Sequence, residues 1–66
     1  MSKPWQDKAK GNWNIAKGKL KQKWGELTDD DLDYQEGKED EVVGRIQKKT
    51  GETKEDINEF LNSIKF

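Results

Sequence analysis

Few residues of this chain could do chemistry. Its serines are Ser2 and Ser63, and it holds no histidine and no cysteine to activate either one. A serine nucleophile needs an adjacent base, and a general acid or base works best when it titrates near neutrality, as unperturbed histidine does. Carboxylates are plentiful, but in a fold of 66 residues they are expected to lie in water and keep ordinary acidity. The chain therefore reads as a protein that is not an enzyme and needs no cofactor.

Asp29-x-Asp31-x-Asp33 opens like a calcium-binding loop, whose ligands stand at positions 1, 3 and 5. The likeness then fails. Position 6 has to turn sharply on glycine and is Tyr34, and position 12 is Asp40 in place of glutamate. No metal site is predicted, and the aspartates read better as carboxylates at a helix start, where they meet unpaired amides and the positive end of the dipole.

The most suggestive candidate surface is basic. Trp5, Lys8, Lys10, Lys17, Lys19, Lys21 and Lys23 interleave indole rings with ammonium groups, the combination that meets phosphates and stacks bases. On a helical wheel with Trp13 at zero, however, Lys10, Lys17 and Lys21 fall at about 40–80° and Lys8, Lys19 and Lys23 at about 220–280°. Lysines on both flanks of an apolar stripe are expected to lay their stems along a buried seam and keep their charges in water. A single phosphate-facing row is not formed, so nucleic acid is a partner the sequence allows without favouring it; Trp5 is the indole expected to be exposed. Paired helical hairpins that bind DNA also need a glycine nest open to phosphate, whereas the turns here, Gly25-Glu-Leu-Thr and Gly51-Glu-Thr, are followed by acids.

Charge is segregated along the chain. Residues 1–25 carry seven lysines and one aspartate, residues 26–41 nine acids and one lysine, and residues 42–66 five bases and four acids, for a net of −1. Neutralisation of the first segment by the second within one molecule is the expectation, with weak, salt-sensitive head-to-tail self-association as the alternative to a monomer.

The elements that would position these residues are helices. Trp13, Ala16, Leu20 and Trp24 form one stripe, so a helix is predicted from near Ala9 to Gly25, with Pro4, Trp5 and Ala9 placed to extend it towards the N-terminus across a Gly11 that weakens it. Thr28-x-x-Asp31 has capping-box spacing, with Leu27 and Leu32 placed as a hydrophobic staple, and predicts a second helix to about Glu36 before Gly37. A third is expected from Glu39 to Gly51 around Val42, Val43 and Ile46. A fourth, capped by Thr53-x-x-Asp56, carries Ile57, Phe60, Leu61 and Ile64.

The stretch from Gly18 to Leu32 repeats from Gly44 to Ile57, with one extra residue, Leu27, in the first copy. Both read glycine, base, aliphatic, two polar residues, lysine, any residue, Gly-Glu, threonine, two polar residues, aspartate, aliphatic. The prediction is an all-α fold of four short helices, arranged as two similar, roughly orthogonally packed helical hairpins. Gly18 and Gly44, each costly inside a helix, are expected to permit close helix approach.

Gly11-Asn-Trp13, Gly18-Lys-Leu-Lys, Trp24-Gly-Glu-Leu-Thr-Asp-Asp-Asp-Leu32, Glu36-Gly-Lys and Val43-Gly-Arg-Ile-Gln resemble the CsbD-like family over about Gly11 to Gly51. That resemblance implies a small bacterial protein linked to general stress responses, with two helical hairpins and no established activity, so it hands over no functional residue.

Hydrophobic residues are 29% of the chain and charged residues 41%, and mean hydropathy is −1.32. This composition leans towards disorder, but three tryptophans and two phenylalanines can anchor a thin core. We expect one domain over residues 1–66, loosest at residues 1–8. With no apolar leader and no run long enough to span a membrane, a cytoplasmic location is expected. High glycine and dense mixed charge are similar to those of hydrophilins, proteins thought to protect others during water loss. The function expected is thus a stress-response accessory that binds or physically protects, with a nucleic-acid- or protein-interaction module using the basic first helix as the alternative.

Overall fold

A computed structural model of the chain describes residues 5–35 and 37–66, and four helices lie among them: α1 (Trp5–Ala9), α2 (Trp13–Lys23), α3 (Glu39–Thr50) and α4 (Lys54–Ser63). There is no strand among the described residues. The fold is all-α, as the apolar stripes and caps predict. Ser2, Pro4 and Glu36 fall outside the described residues.

The second half of the chain follows its local signals closely. Glu39, Asp40 and Glu41 occupy the first turn of α3, Lys48 and Lys49 its last, so both ends suit the helix dipole. Gly51 closes α3 in the left-handed region at φ 77°, donating its N–H to the Gln47 carbonyl. Thr53 then caps α4, its hydroxyl accepting from Asp56 N at 3.0 Å. α3 and α4 pack together as a hairpin through Val42, Val43, Ile46, Ile57 and Leu61, all buried.

The first half departs from expectation in two places. The predicted helix from Ala9 is two helices, because Gly11 takes φ 76° and breaks the path after α1. A β-carbon disfavours that conformation, and glycine adopts it at no steric cost. The helix predicted over residues 28–36 is a single turn. Its capping box does form: Asp31 N donates to Thr28 Oγ1 at 3.3 Å, and Thr28 N and Oγ1 donate to Asp31 Oδ2 at 3.1 and 3.0 Å. Leu32 N closes the turn on the Thr28 carbonyl at 3.2 Å. Past Leu32, however, the residues matching Phe60 and Leu61 are Gln35 and Glu36, and Gly37 follows at φ 89°. A nucleated turn with no apolar face to bury has nothing to offset further ordering. The first repeat is thus a helix plus one capped turn, where the second is a helical hairpin.

Both copies nonetheless deliver equivalent core residues. Ala16, Leu20 and Leu32 of the first copy and Val42, Ile46 and Ile57 of the second are all 0% exposed. The duplication extends further back than Gly18: the six glycines fall at 11, 18 and 25 and again at 37, 44 and 51, and the first of each set has positive φ. The helix stops differ between copies. Trp24 ends α2 in extended backbone, φ −128° and ψ 96°, so Gly25 is not the left-handed stop its position suggests.

The mid-helix glycines correct another expectation. Gly18 and Gly44 are exposed, and a β-carbon added at either would meet no atom within 4 Å, so neither permits a close helix approach. Their cost in helix propensity is uncompensated. Gly18→Ala and Gly44→Ala should each raise stability by about 0.5–1 kcal/mol, whereas Gly51→Ala, at positive φ, should lower it by about 1–2 kcal/mol. Urea midpoints of the three variants provide the check.

α1 fastens the start of the chain to its end. Trp5 is 1% exposed, its backbone N–H donates to Asn62 Oδ1 at 2.9 Å and its indole Nε1 to Asn58 Oδ1 at 2.9 Å. Asn58 and Asn62 stand one turn apart on α4, so two amide oxygens meet one residue. Its ring packs against Trp13 and Tyr34, both with centroids 5.7 Å away, and Trp13 Nε1 donates to the Leu32 carbonyl at 2.7 Å. Residues 5–8 thus lie in α1, which is fastened to α4 through Trp5.

Candidate interaction surface

The basic residues singled out by sequence lie on α1, α2 and the turn between them, and the structure sorts them into different environments. Trp5 is not on the surface, for the reason just given: its indole and backbone donors are satisfied inside the fold. Lys8, Lys17 and Lys21 are half-buried, and Lys10, Lys19 and Lys23 are exposed.

The two flanks of α2 have different fates. On one flank, Lys17 Nζ stands 3.6 Å from Asp29 Oδ1, and Lys21 Nζ donates to the same oxygen. Asp29 is held below the ordinary carboxylate range, first by the Lys21 hydrogen bond and charge, then by Lys17. On the other flank, Lys23 lies over the rings of Trp24 and Phe60, at 6.0 and 5.9 Å from their centroids, and those rings meet edge to face at 5.3 Å. This is the geometry of a cation–π contact. Lys17 and Lys21, two of the six lysines, thus share one carboxylate, and the six do not converge on one row.

The acidic segment is similarly occupied. Asp31 is pushed down by the Thr28 backbone and hydroxyl hydrogen bonds, with Lys49 adding to them from 3.5 Å. Arg45 Nη1 donates to the Asp33 carbonyl at 2.8 Å, Tyr34 OH donates to Glu39 Oε1 at 3.4 Å, and Lys54 lies 3.9 Å from Asp40. Among the described residues no three acidic, histidine or cysteine side chains gather as a metal site would require, and Asp29 and Asp31 face different partners. Such exposed pairs contribute little to stability individually. The pairing of Lys17 and Lys21 with Asp29 brings the +6 and −8 segments into contact within one molecule, and Lys49 and Lys54 pair the acidic segment with the second half of the chain.

Ser63, the described serine, donates its hydroxyl to the Phe60 carbonyl at 2.6 Å and serves as a helix end. The surface hollows are shallow. One is polar, between Asp33, Gln35, Lys38, Glu41 and Arg45; another runs along Lys19, Phe60, Ser63, Ile64 and Lys65. Asn58 and Asn62 are the polar residues that sequence reasoning passed over, and their i, i+4 spacing on one side of the α4 stripe was the available signal.

With the duplicated caps and core pairs in place, the sequence profile described as CsbD-like matches residues 7–59, from within α1 to within α4. The chain belongs to the CsbD-like family. It is 59% identical over 49 residues to a UPF0337 protein of Pectobacterium atrosepticum, covering 74% of this chain and 71% of that protein. The UPF0337 protein YjbJ of Escherichia coli K12 is 53% identical over 49 residues, with the same coverage of 74% and 71%. A UPF0337 protein of Nitrosomonas europaea is 44% identical over 53 residues, 80% of this chain and 56% of that one. No solved structure matches the chain significantly. These CsbD-like relatives are small bacterial proteins of uncharacterised function, and the family match reaches beyond Gly11 to Gly51 at both ends. No helix among the described residues is long and apolar enough to cross a membrane.

Proposed function

We propose that this CsbD-like chain is a cytoplasmic stress-response accessory that acts by binding or physical protection, without turnover. The observation that carries the reading is the division between interior and surface. Every buried residue among those described is apolar, and the polar groups stand in dense mixed charge around them. Tuned acids and bases arise from desolvation and from convergent charges. The carboxylates with shifted acidity here are Asp29, which is exposed, and Asp31, which is half-buried, and both are pushed down by partners that serve the fold. A surface of this kind holds water and weakly paired charges.

The test is protection during drying. A labile enzyme dried with the chain at modest molar excess should retain more activity after rehydration than with an equal mass of inert protein. Equal recovery would remove the protective reading. Nucleic-acid binding through the basic first helix is the weaker alternative, supported by the exposed Lys19 and Lys23 and weakened by the burial of Trp5 and the pairing of Lys17 and Lys21 with Asp29.

A further inference from the structure

We propose that Gly11 is a two-state hinge: when it straightens, α1 leaves its own α4 and docks on the α4 of a second copy, so that Trp5 of each chain fills the other's socket. This stands apart from the protective role and does not depend on it.

The first observation is a conflict between sequence period and backbone. Trp5, Ala9, Trp13, Ala16, Leu20 and Trp24 are spaced 4, 4, 3, 4 and 4, an unbroken stripe for one helix. The structure bends that stripe at Gly11, where φ is 76°. Short-range hydrogen bonds shape the bend, among them Asn12 Nδ2 donating to the Lys10 carbonyl at 3.4 Å. Asn12, at the α2 N-cap position, makes no capping hydrogen bond through its side chain, and the turn is closed by Asn12 N on the Ala9 carbonyl and Ile15 N on the Asn12 carbonyl, both at 3.0 Å. A β-carbon at Gly11 would meet no atom within 4 Å, so the backbone angle alone opposes a side chain there.

The second observation is what holds α1 down. Five residues do not sustain a helix unaided. α1 persists because Trp5 is gripped by Asn58, Asn62, Trp13 and Tyr34. The socket therefore recognises an indole at the start of a short helix, and a second copy of this chain supplies that ligand with every contact intact.

Straightening Gly11 would merge α1 and α2 into one helix over residues 5–23, about 28 Å long. The Trp5 and Trp13 backbones would then lie about 12 Å apart along its axis, too far for Trp5 to keep its own socket. Exchange of an identical element between two chains closes into a two-fold dimer, and it replaces lost contacts with the same contacts.

Substitutions at the hinge separate the two states. Gly11→Ala penalises positive φ and improves the continuous helix, shifting the balance towards the straight form on the order of 30- to 100-fold. A synthetic chain with D-alanine at position 11 favours the bend. Sedimentation velocity over micromolar to millimolar concentration should show Gly11→Ala as a dimer and the D-alanine chain as a monomer. In dimers formed from labelled and unlabelled chains, the Trp5 indole proton should show NOEs to Asn58 of the other chain. A folded monomeric Gly11→Ala, an unfolded Gly11→Ala with no dimer at any concentration, or a dimer whose Trp5 contacts its own Asn58 would each overturn the proposal.

Discussion

Trp5→Ala is expected to lower stability by about 3–5 kcal/mol, the range for truncating a fully buried tryptophan. For a domain of this size a single core supplies about 3–5 kcal/mol in total. The variant should therefore be substantially unfolded at 25 °C, with far-UV circular dichroism losing most of its helical signal. Several losses add at this one position. The indole is 1% exposed and touches both Trp13 and Tyr34, so its removal opens a cavity against two rings. The Asn58 amide oxygen also loses its donor, which costs about 1 kcal/mol more where water cannot replace it. Trp24→Ala is the matched control, because Trp24 is half-buried at the rim and makes one edge contact with Phe60. Should the urea midpoint fall further for Trp24→Ala than for Trp5→Ala, the account of Trp5 as the principal aromatic anchor is wrong.

The second large effect is expected outside any helix. Leu32 ends the single turn of residues 28–32, yet it is 0% exposed, like its repeat partner Ile57 inside α4. If burial decides the cost, Leu32→Ala and Ile57→Ala should each destabilise by about 2–5 kcal/mol despite their different backbones. Ile15→Ala, at a position 40% exposed, should stay within about 0.5 kcal/mol of the natural chain. Midpoints from urea titration of the three chains decide the matter. A small effect for Leu32→Ala beside a large one for Ile57→Ala would mean that the turn gives way and refills the space.

What the sequence reveals about this fold is what short-range chemistry determines. The Thr28–Asp31 and Thr53–Asp56 boxes, the Gly51 stop and the acidic start of α3 involve residues within four of one another, and all are present. The core pairs Leu20 with Ile46 and Leu32 with Ile57 follow from the repeat. What escaped depends on distant partners or on a balance of terms. Trp5 is buried by Asn58 and Asn62, 53 and 57 residues away, and no local pattern announces that meeting. The capping box at Thr28 is a true signal of a helix start, but it does not say how long the helix continues; Gln35 and Glu36, occupying the places of Phe60 and Leu61, decide that. The break at Gly11 is hidden because the apolar stripe runs straight across it. On the candidate surface, the split of the lysines into two flanks was legible from the wheel, while the pairing of one flank with Asp29 required the turn to fold back beside α2.

Five of the six aromatic residues fall into two groups, Trp5, Trp13 and Tyr34 in one, Trp24 and Phe60 in the other. The chain consequently carries two built-in optical reporters. Emission from Trp5 and Trp13, whose rings are 5.7 Å apart, reads whether the two chain ends are joined, and emission from Trp24 beside the Lys23 ammonium reads the end of α2. With no cysteine to label and no added dye, a chain lacking Trp24 alone would report the Trp5–Trp13 pair by itself, and its difference from the natural chain would report the end of α2, as the protein dries, warms or meets a partner.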